Sequence, residues 1–273
     1  MTRFVRYLLL LSLALLLMAP AATRAASADA DQAISQALQG KWRNPANVAR
    51  DQYRHPRETL EYFGLKPGMT VVELWPGGGW YTEILAPVLR EHGQLIEAAV
   101  PAKGDSESDT TQGFLKKLAA DPQIYDKVKV VDFLPPDKLD LGPEESADLV
   151  LTFRNLHNWQ AKGQLENVLH AAFKVLKSGC VFGVVEHRAA AGKTVDQTFK
   201  SGYMPQDYVI KLAEDVGFLY AGHSEINANP KDTKDYPKGV WTLPPTYAEG
   251  DTDKAKYAAI GESDRMTLLF VKP

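Results

Sequence analysis

The sequence predicts an α/β fold, a mostly parallel sheet with helices on both faces. Three observations carry that expectation. From Thr70 onward, short apolar and β-branched runs alternate with stretches of helical periodicity, the rhythm of parallel strands joined by crossover helices. The run ADLVLTF, Ala147 to Phe153, is apolar along most of its length, as strands are when both faces are covered. Three consecutive glycines, Gly77, Gly78 and Gly79, separate a strand pattern from a helix pattern. Main chain without Cβ approaches a ligand closely at such a place, beside the free N–H groups of a helix start.

The elements follow in chain order. Asp29 to Gly40 predicts a short helix stopped by glycine, and Asn44-Pro45 caps and opens a second, to about Tyr53. Pro56 opens a third, with Leu60 and Phe63 facing inward and Gly64 as its stop. Strand one is Thr70 to Leu74, and a helix runs from about Trp80 to Glu91 with Pro87 inside it. Strand two is Gln94 to Ala99, a helix lies around Gly113 to Ala120, and strand three is Val128 to Phe133. Strand four is Ala147 to Phe153, followed by helix Leu165 to Leu176 and strand five, Cys180 to Glu186. Helix Gln206 to Val216, strand six at about Phe218 to Ile226 and strand seven, Arg265 to Lys272, complete the chain. Residues 227–264, rich in Pro, Lys, Asp and Tyr, are too long for a hairpin loop and predict a surface excursion over one end of the sheet.

Residues 1–28 are a different material. Arg3 and Arg6 precede a leucine-rich run, Tyr7 to Met18, and Ala26-Ser27-Ala28 fits a small-residue cleavage site. That is the layout of a secretory signal peptide, and the run is short of the roughly 20 residues a membrane span needs. Export, to a periplasm, is expected, with no stable membrane insertion after cleavage. Residues 29–66 then form an N-terminal helical flank, and 67–273 one domain decorated by the excursion. Removing the leader takes away Arg3, Arg6 and Arg24 and no acid, moving the formal charge from −3 to −6. Basic residues are scattered, so no nucleic-acid partner is expected. Cys180 is the only cysteine and cannot form an internal disulfide.

The stretch PGMTVVELWPGGGWYTEIL resembles the first motif of the class I S-adenosylmethionine-dependent methyltransferases, an acid followed by spaced glycines. DLVLTFRNLHNW resembles that family's strand-four motif, KVLKSGCVFGVVEH its strand-five lead-in, and MPQDYVIKLAEDVGF the helix before its closing antiparallel strands. The resemblance covers about Pro56 to Pro273. RHP, WPGGGWYTEILAP and NLHNW together resemble, more particularly, a group of predicted exported methyltransferases. The resemblance implies a Rossmann-like seven-stranded sheet in the order 3-2-1-4-5-7-6, with S-adenosylmethionine as cofactor. It implies Glu73 at the acidic position, Gly77 and Gly79 at the second and third glycine positions, and Trp75, Gly78, Tyr81, Glu97, Asp132 and Asn155 beside the cofactor. Two positions depart from the pattern. Trp75 replaces the first glycine, so its side chain must leave the turn and reshape the methionine side of the pocket. Ala99 stands where the family carries the acid that grips the ribose; Glu97 lies two residues earlier, on the same strand face.

Ligands of open α/β sheets bind outside the carboxyl ends of the strands. Glu73, Arg154, Asn155, His157, Asn158, Trp159, Glu186 and His187 all fall at such ends. His157 suits proton removal near neutrality and is the candidate catalytic base; the competing role for His157 and Trp159 is packing beneath the N-terminal helices. Trp75, Tyr81 and Trp159 suit aromatic walls for a sulfonium cation, at about 0.5–2 kcal/mol each. Arg54, His55, Trp159, Glu186 and His187 are candidates for substrate contact, and Arg54 serves equally as a structural ion-pair partner. No metal is expected. No HxH or HxxxH pair occurs, and adjacent Glu186 and His187 should point to opposite faces. Two functions stand at this level: a transferase acting on a small molecule, or an exported binding protein that keeps the fold.

Overall fold

Successive strand residues point to opposite faces, and here Val71 and Val72 are both fully buried. Strand β1 (Thr70–Leu74) therefore lies in a sheet covered on both sides. The computed structural model describes residues 21–102 and 106–273. The leader expected over residues 1–28 lies outside the described residues as far as residue 20.

The sheet contains β1, β2 (Gln94–Ala99), β3 (Lys129–Asp132), β4 (Ala147–Phe153), β5 (Leu176–His187), β6 (Leu219–Ser224) and β7 (Arg265–Val271). Their order is β3-β2-β1-β4-β5-β7-β6, as expected. All neighbours are parallel except β7, which runs antiparallel to β5 and β6. Strand order reverses between β1 and β4, and the crevice above their carboxyl ends is where this architecture holds ligands.

Helices α1 (Ala21–Leu38), α2 (Pro45–Val48), α3 (Asp51–Arg54) and α4 (Pro56–Tyr62) precede the sheet. The segment expected as one helix to Tyr53 divides into α2 and α3; Asn44 caps the first, accepting from the Ala46 N–H as its position implies. His55, at φ 39°, turns the chain from α3 into α4. Behind β1 come α5 (Thr82–Leu89), α6 (Ser106–Ala120) and α7 (Pro122–Tyr125). After β4 come α8 (Leu156–Ala161) and α9 (Leu165–Val175), then α10 (Val195–Thr198), α11 (Gln206–Val216) and α12 (Lys254–Ile260).

One face of the sheet packs Val71, Leu149 and Leu151 against Ile34, Leu60, Phe63, Ile84 and Leu85 of the N-terminal helices and α5. The other packs Val72, Leu74, Val150 and Phe182 against Val168, Leu169, Val209 and Ala213 of α9 and α11. Leu156 and Trp159 of α8, both fully buried, join this second core. Each such side chain contributes about 1.5–3 kcal/mol of transfer free energy, so α8 is pinned although it is short. Segment 227–264 carries a 3-10 turn, Gly239–Thr242, and α12. Among the described residues, no helix is long and apolar enough to cross a membrane.

Candidate functional site

The turn after β1 is fixed from both sides. Trp75, at φ 52°, takes a left-handed conformation that costs a non-glycine residue about 1–2 kcal/mol. The Trp75 N–H donates to the Ala98 carbonyl at 2.8 Å, and its indole Nε1 donates to the Phe133 carbonyl at 3.1 Å. Its ring lies 4.9 Å from that of Trp159. Asn155 Nδ2 donates to the Leu74 and Trp75 carbonyls, and Lys117 of α6 donates to those of Gly78 and Gly79. Gly79, at φ 77°, cannot carry a side chain, since a Cβ would lie 2.8 Å from the Phe114 ring. A Cβ on Gly77 or Gly78 would instead meet nothing within 4 Å. Main chain therefore faces open space at both positions.

Two hollows meet above this turn, and Trp75, Pro76, Gly77, Asn155 and Asn158 border both. The smaller, about 160 Å³, extends over Ala99 and Val100 at the end of β2 and Thr110 and Thr111 of α6. The larger, about 430 Å³, is walled by Glu73, Tyr81, Arg154, His157 and His187 at the strand ends. Arg50 and Arg54 enter it from the N-terminal helices, and Trp241, Pro244, Pro245 and Glu262 from segment 227–264.

His157 is seated by a carboxylate. Glu186, fully buried, faces His157 Nδ1 at 3.0 Å and accepts the backbone N–H groups of His157 at 3.3 Å and His187 at 2.7 Å. A carboxylate opposite Nδ1 holds the neutral ring with its proton on that nitrogen, leaving the Nε2 lone pair free. His187, whose Nδ1 lies 2.5 Å from Ser263 Oγ, is lowered well below its ordinary range, first by burial and then by neighbouring His157 and the arginines. Ligand atoms of His157, Glu186 and His187 lie within 4.8 Å of one another. Glu186 folds back toward the His187 N–H, so these neighbours converge where simple alternation predicts divergence.

Four guanidinium groups give the larger hollow its charge. Glu262 accepts from Arg50 Nε at 2.5 Å, from Arg54 Nε at 3.5 Å and from Arg265 Nη2. Burial works against ionisation of Glu262, but the Arg265 and Arg54 charges prevail and hold it at about 2. Burial and neighbouring Arg265 lower Arg154 to about 10, and burial and Arg154 lower Arg54 well below its usual range. The Arg54 guanidinium lies 4.5 Å above the Trp80 ring.

Beneath the hollow, Glu73 on β1 stands in register with Glu97 on β2. Burial raises Glu73 to about 7, against the opposing pull of hydrogen bonding to Glu97 and Thr82. Burial and the Glu73 charge raise Glu97 well above the carboxylate range. The pair is a buried acid that keeps a proton near neutrality.

The structure brings Glu73, Trp75, Gly77, Gly78, Tyr81, Asn155, His157, His187 and Arg54 to the larger hollow. Tyr81 stacks on Phe153 at 3.5 Å between ring centroids, and burial raises its phenol to about 12. Other candidates fall elsewhere. Glu186 and Trp159 sit behind the wall with no exposure, Trp159 as the support of the Trp75 indole rather than a surface of the hollow. Glu97 is sealed under Glu73, so it does not reach the space over Ala99. Gly79 faces Phe114. Asp132 is exposed and paired with Lys138 at 2.5 Å, outside both hollows. His55 borders neither hollow, and its Nδ1 is buried without a partner. Arg265 and Glu262 were not singled out as site residues by sequence reasoning. ESDR places charges at the start of an apolar strand, but nothing local ties them to Arg50 and Arg54.

No family model matches the chain, and no curated protein matches it. Solved structures are similar. A SAM-dependent methyltransferase from Aquifex aeolicus gives a TM-score of 0.53 at 19% identity, covering 68% of this chain and 90% of that one. The 4+2 cyclase SpnF gives 0.53 at 18% identity, covering 81% of this chain and 80% of that one. Geranyl diphosphate C-methyltransferase from Streptomyces coelicolor A3(2), solved with Mg2+, geranyl diphosphate and S-adenosyl-L-homocysteine, gives 0.53 at 11% identity, covering 83% and 81%. At such identities the likeness is one of fold. The chain has the fold of the class I S-adenosylmethionine-dependent methyltransferases.

Proposed function

We propose that this protein transfers a methyl group from S-adenosylmethionine to a small molecule held in the larger hollow, with His157 as the base. The observation that carries the reading is the meeting of the open Gly77-Gly78 main chain and the Glu186-seated imidazole on one wall. Side chains at Gly77 and Gly78 would project into unfilled space, which is the cradle a cofactor needs. Glu73, Gly77, Gly78 and Asn155 are the residues to hold its amino-acid half, and the space over Ala99 and Val100 is left for the nucleoside.

When bound, S-adenosylmethionine supplies a methyl group on a positively charged sulfur, open to attack by a nucleophile. The chain does the rest. His157 Nε2 takes the proton from the acceptor nucleophile, and Glu186 steadies the imidazolium that results. Trp241, 5.9 Å from the His157 ring and in edge-on contact, flanks the base from the side of segment 227–264. Residues 1–28 support an exported protein, so the acceptor is to be sought outside the cytoplasm.

One feature favours a second reading, a fold retained for another ligand. Ala99 offers no carboxylate to a ribose, and Glu97 is sealed away from it. SpnF, a cyclase, has a similar fold. Calorimetry on the purified, folded protein separates the two. The transferase reading expects micromolar affinity for both S-adenosylmethionine and S-adenosylhomocysteine; absence of heat with either sinks it.

A further inference from the structure

The larger hollow carries more positive charge than the chain neutralises. Arg50, Arg54, Arg154 and Arg265 line it, against the carboxylates Glu73 and Glu262. Glu262 alone accepts from three of the four, and Glu73, raised to about 7, is only partly ionised at neutrality. Among the described residues, the Arg154 side chain makes no hydrogen bond or ion pair. Arg54, 3% exposed, keeps its Nη1 buried without a partner, and Arg265, 2% exposed, leaves its Nε in the same state. A buried guanidinium without a counter-ion costs several kcal/mol. Clustering such groups at a cavity wall is a property of anion sites, where the planar fork meets an oxyanion through paired N–H donors.

We propose that the molecule acted on in this hollow is a multiply charged oxyanion, a phosphate or diphosphate ester, whose acid group is gripped by Arg154 and Arg54. The word acceptor rests on the transferase reading; the anion site does not. A single carboxylate leaves most of the excess in place. Bound S-adenosylmethionine brings one carboxylate with two positive groups, a sulfonium and an ammonium, and so adds to the excess. A dianionic group offsets it and leaves the nucleophilic end of the same molecule free to meet His157.

The test is calorimetry of the full chain with pyrophosphate as probe, alone and in saturating S-adenosylhomocysteine. The expected result is binding in both conditions, weakened tenfold or more in Arg154→Met, partly restored in Arg154→Lys, and unchanged in Arg90→Met. Arg90 pairs with Asp126 on the surface and controls for net charge. Arg154→Met removes no hydrogen bond within the chain, so folding is spared, and circular dichroism checks it. Absence of pyrophosphate binding to folded wild type overturns the proposal, and so does binding that Arg154→Met leaves intact. Competition between pyrophosphate and S-adenosylhomocysteine overturns it too, because the arginines then serve the cofactor carboxylate. Loss of S-adenosylhomocysteine binding alone removes the transferase reading and leaves the anion site standing.

Discussion

Glu186 is asked to do three things with two oxygens. It receives the His157 ring N–H, the His157 backbone N–H and the His187 backbone N–H, in a place with no access to water. An amide of the same shape turns an NH2 group toward at least one of those donors. Glu186→Gln is therefore expected to lose about 2 kcal/mol of stability, within the range for a buried polar group left unsatisfied, read as a lower urea midpoint at unchanged slope. A midpoint within experimental error of wild type would mean that the carboxylate is not the seat of His157. The same scale shows what the sequence conceals. Gly77 and His157 are legible because their chemistry is tied to a local pattern of strand, turn and helix. Arg265 and Glu262 reach the hollow only because β7 returns beside β5, and no local pattern announces a partnership more than 200 residues from Arg50 and Arg54. Trp75 is legible as a departure, but its direction is set by the carbonyl of Phe133, a residue on a different strand connection.

Strands β1 and β2 set the response to pH. Unfolded, Glu73 and Glu97 titrate near 4.5; folded, burial raises Glu73 to about 7, and burial and the Glu73 charge raise Glu97 well above the carboxylate range. Between those values the folded chain holds protons that the unfolded chain has released. Their contribution is complete below pH 4.5 and is lost as pH climbs through 7. Glu262, just before β7, behaves oppositely: held at about 2, it contributes above pH 4.5 and fails as pH falls toward 2. Stability in urea is expected to peak near pH 5 and to drop by on the order of 2 kcal/mol by pH 8. Glu97→Gln should flatten the alkaline limb and leave the acid limb alone; an unchanged alkaline slope would exclude the pair as its cause. Elements were legible where an apolar pattern met clear turn signals at both ends. β1, β2, β4 and α11 fall where the apolar patterns place them. Helices α8 and α12, of six and seven residues, span less than two full turns, too little for helical periodicity to declare itself.

Across the whole molecule, the N-terminal helices and segment 227–264 meet over the larger hollow, bonded to each other through Arg50–Glu262 and Asn227–Thr59. Asn227 ties the segment down, donating to Thr59 of α4 and Thr267 of β7, and Asn229 holds the carbonyls of Ile260 and Glu262. Between these moorings, residues 239–246 hang over the hollow, with Trp241 37% exposed. Amide exchange in 239–246 is expected to slow when S-adenosylhomocysteine and pyrophosphate are added together, while β4 stays unchanged; equal exchange with and without ligand would show the segment to be a fixed wall. Composition gives no sign that the segment brings Glu262 and Ser263 to the larger hollow. That depends on how its two ends are anchored, which is a property of the closed fold.

The seating of α8 has one more consequence. Trp159 is locked in the core and the His157 N–H is clamped by Glu186, so the imidazole cannot travel to meet different guests. Arg54, stacked on Trp80, and Arg50 and Arg265, bound to Glu262, are held as well. On the proposed reading, the imidazole and the arginines of the same hollow act as a calliper. Among molecules that carry the proposed anionic head, such a calliper selects a span, the reach from head to reactive atom, so chain length then decides which are admitted.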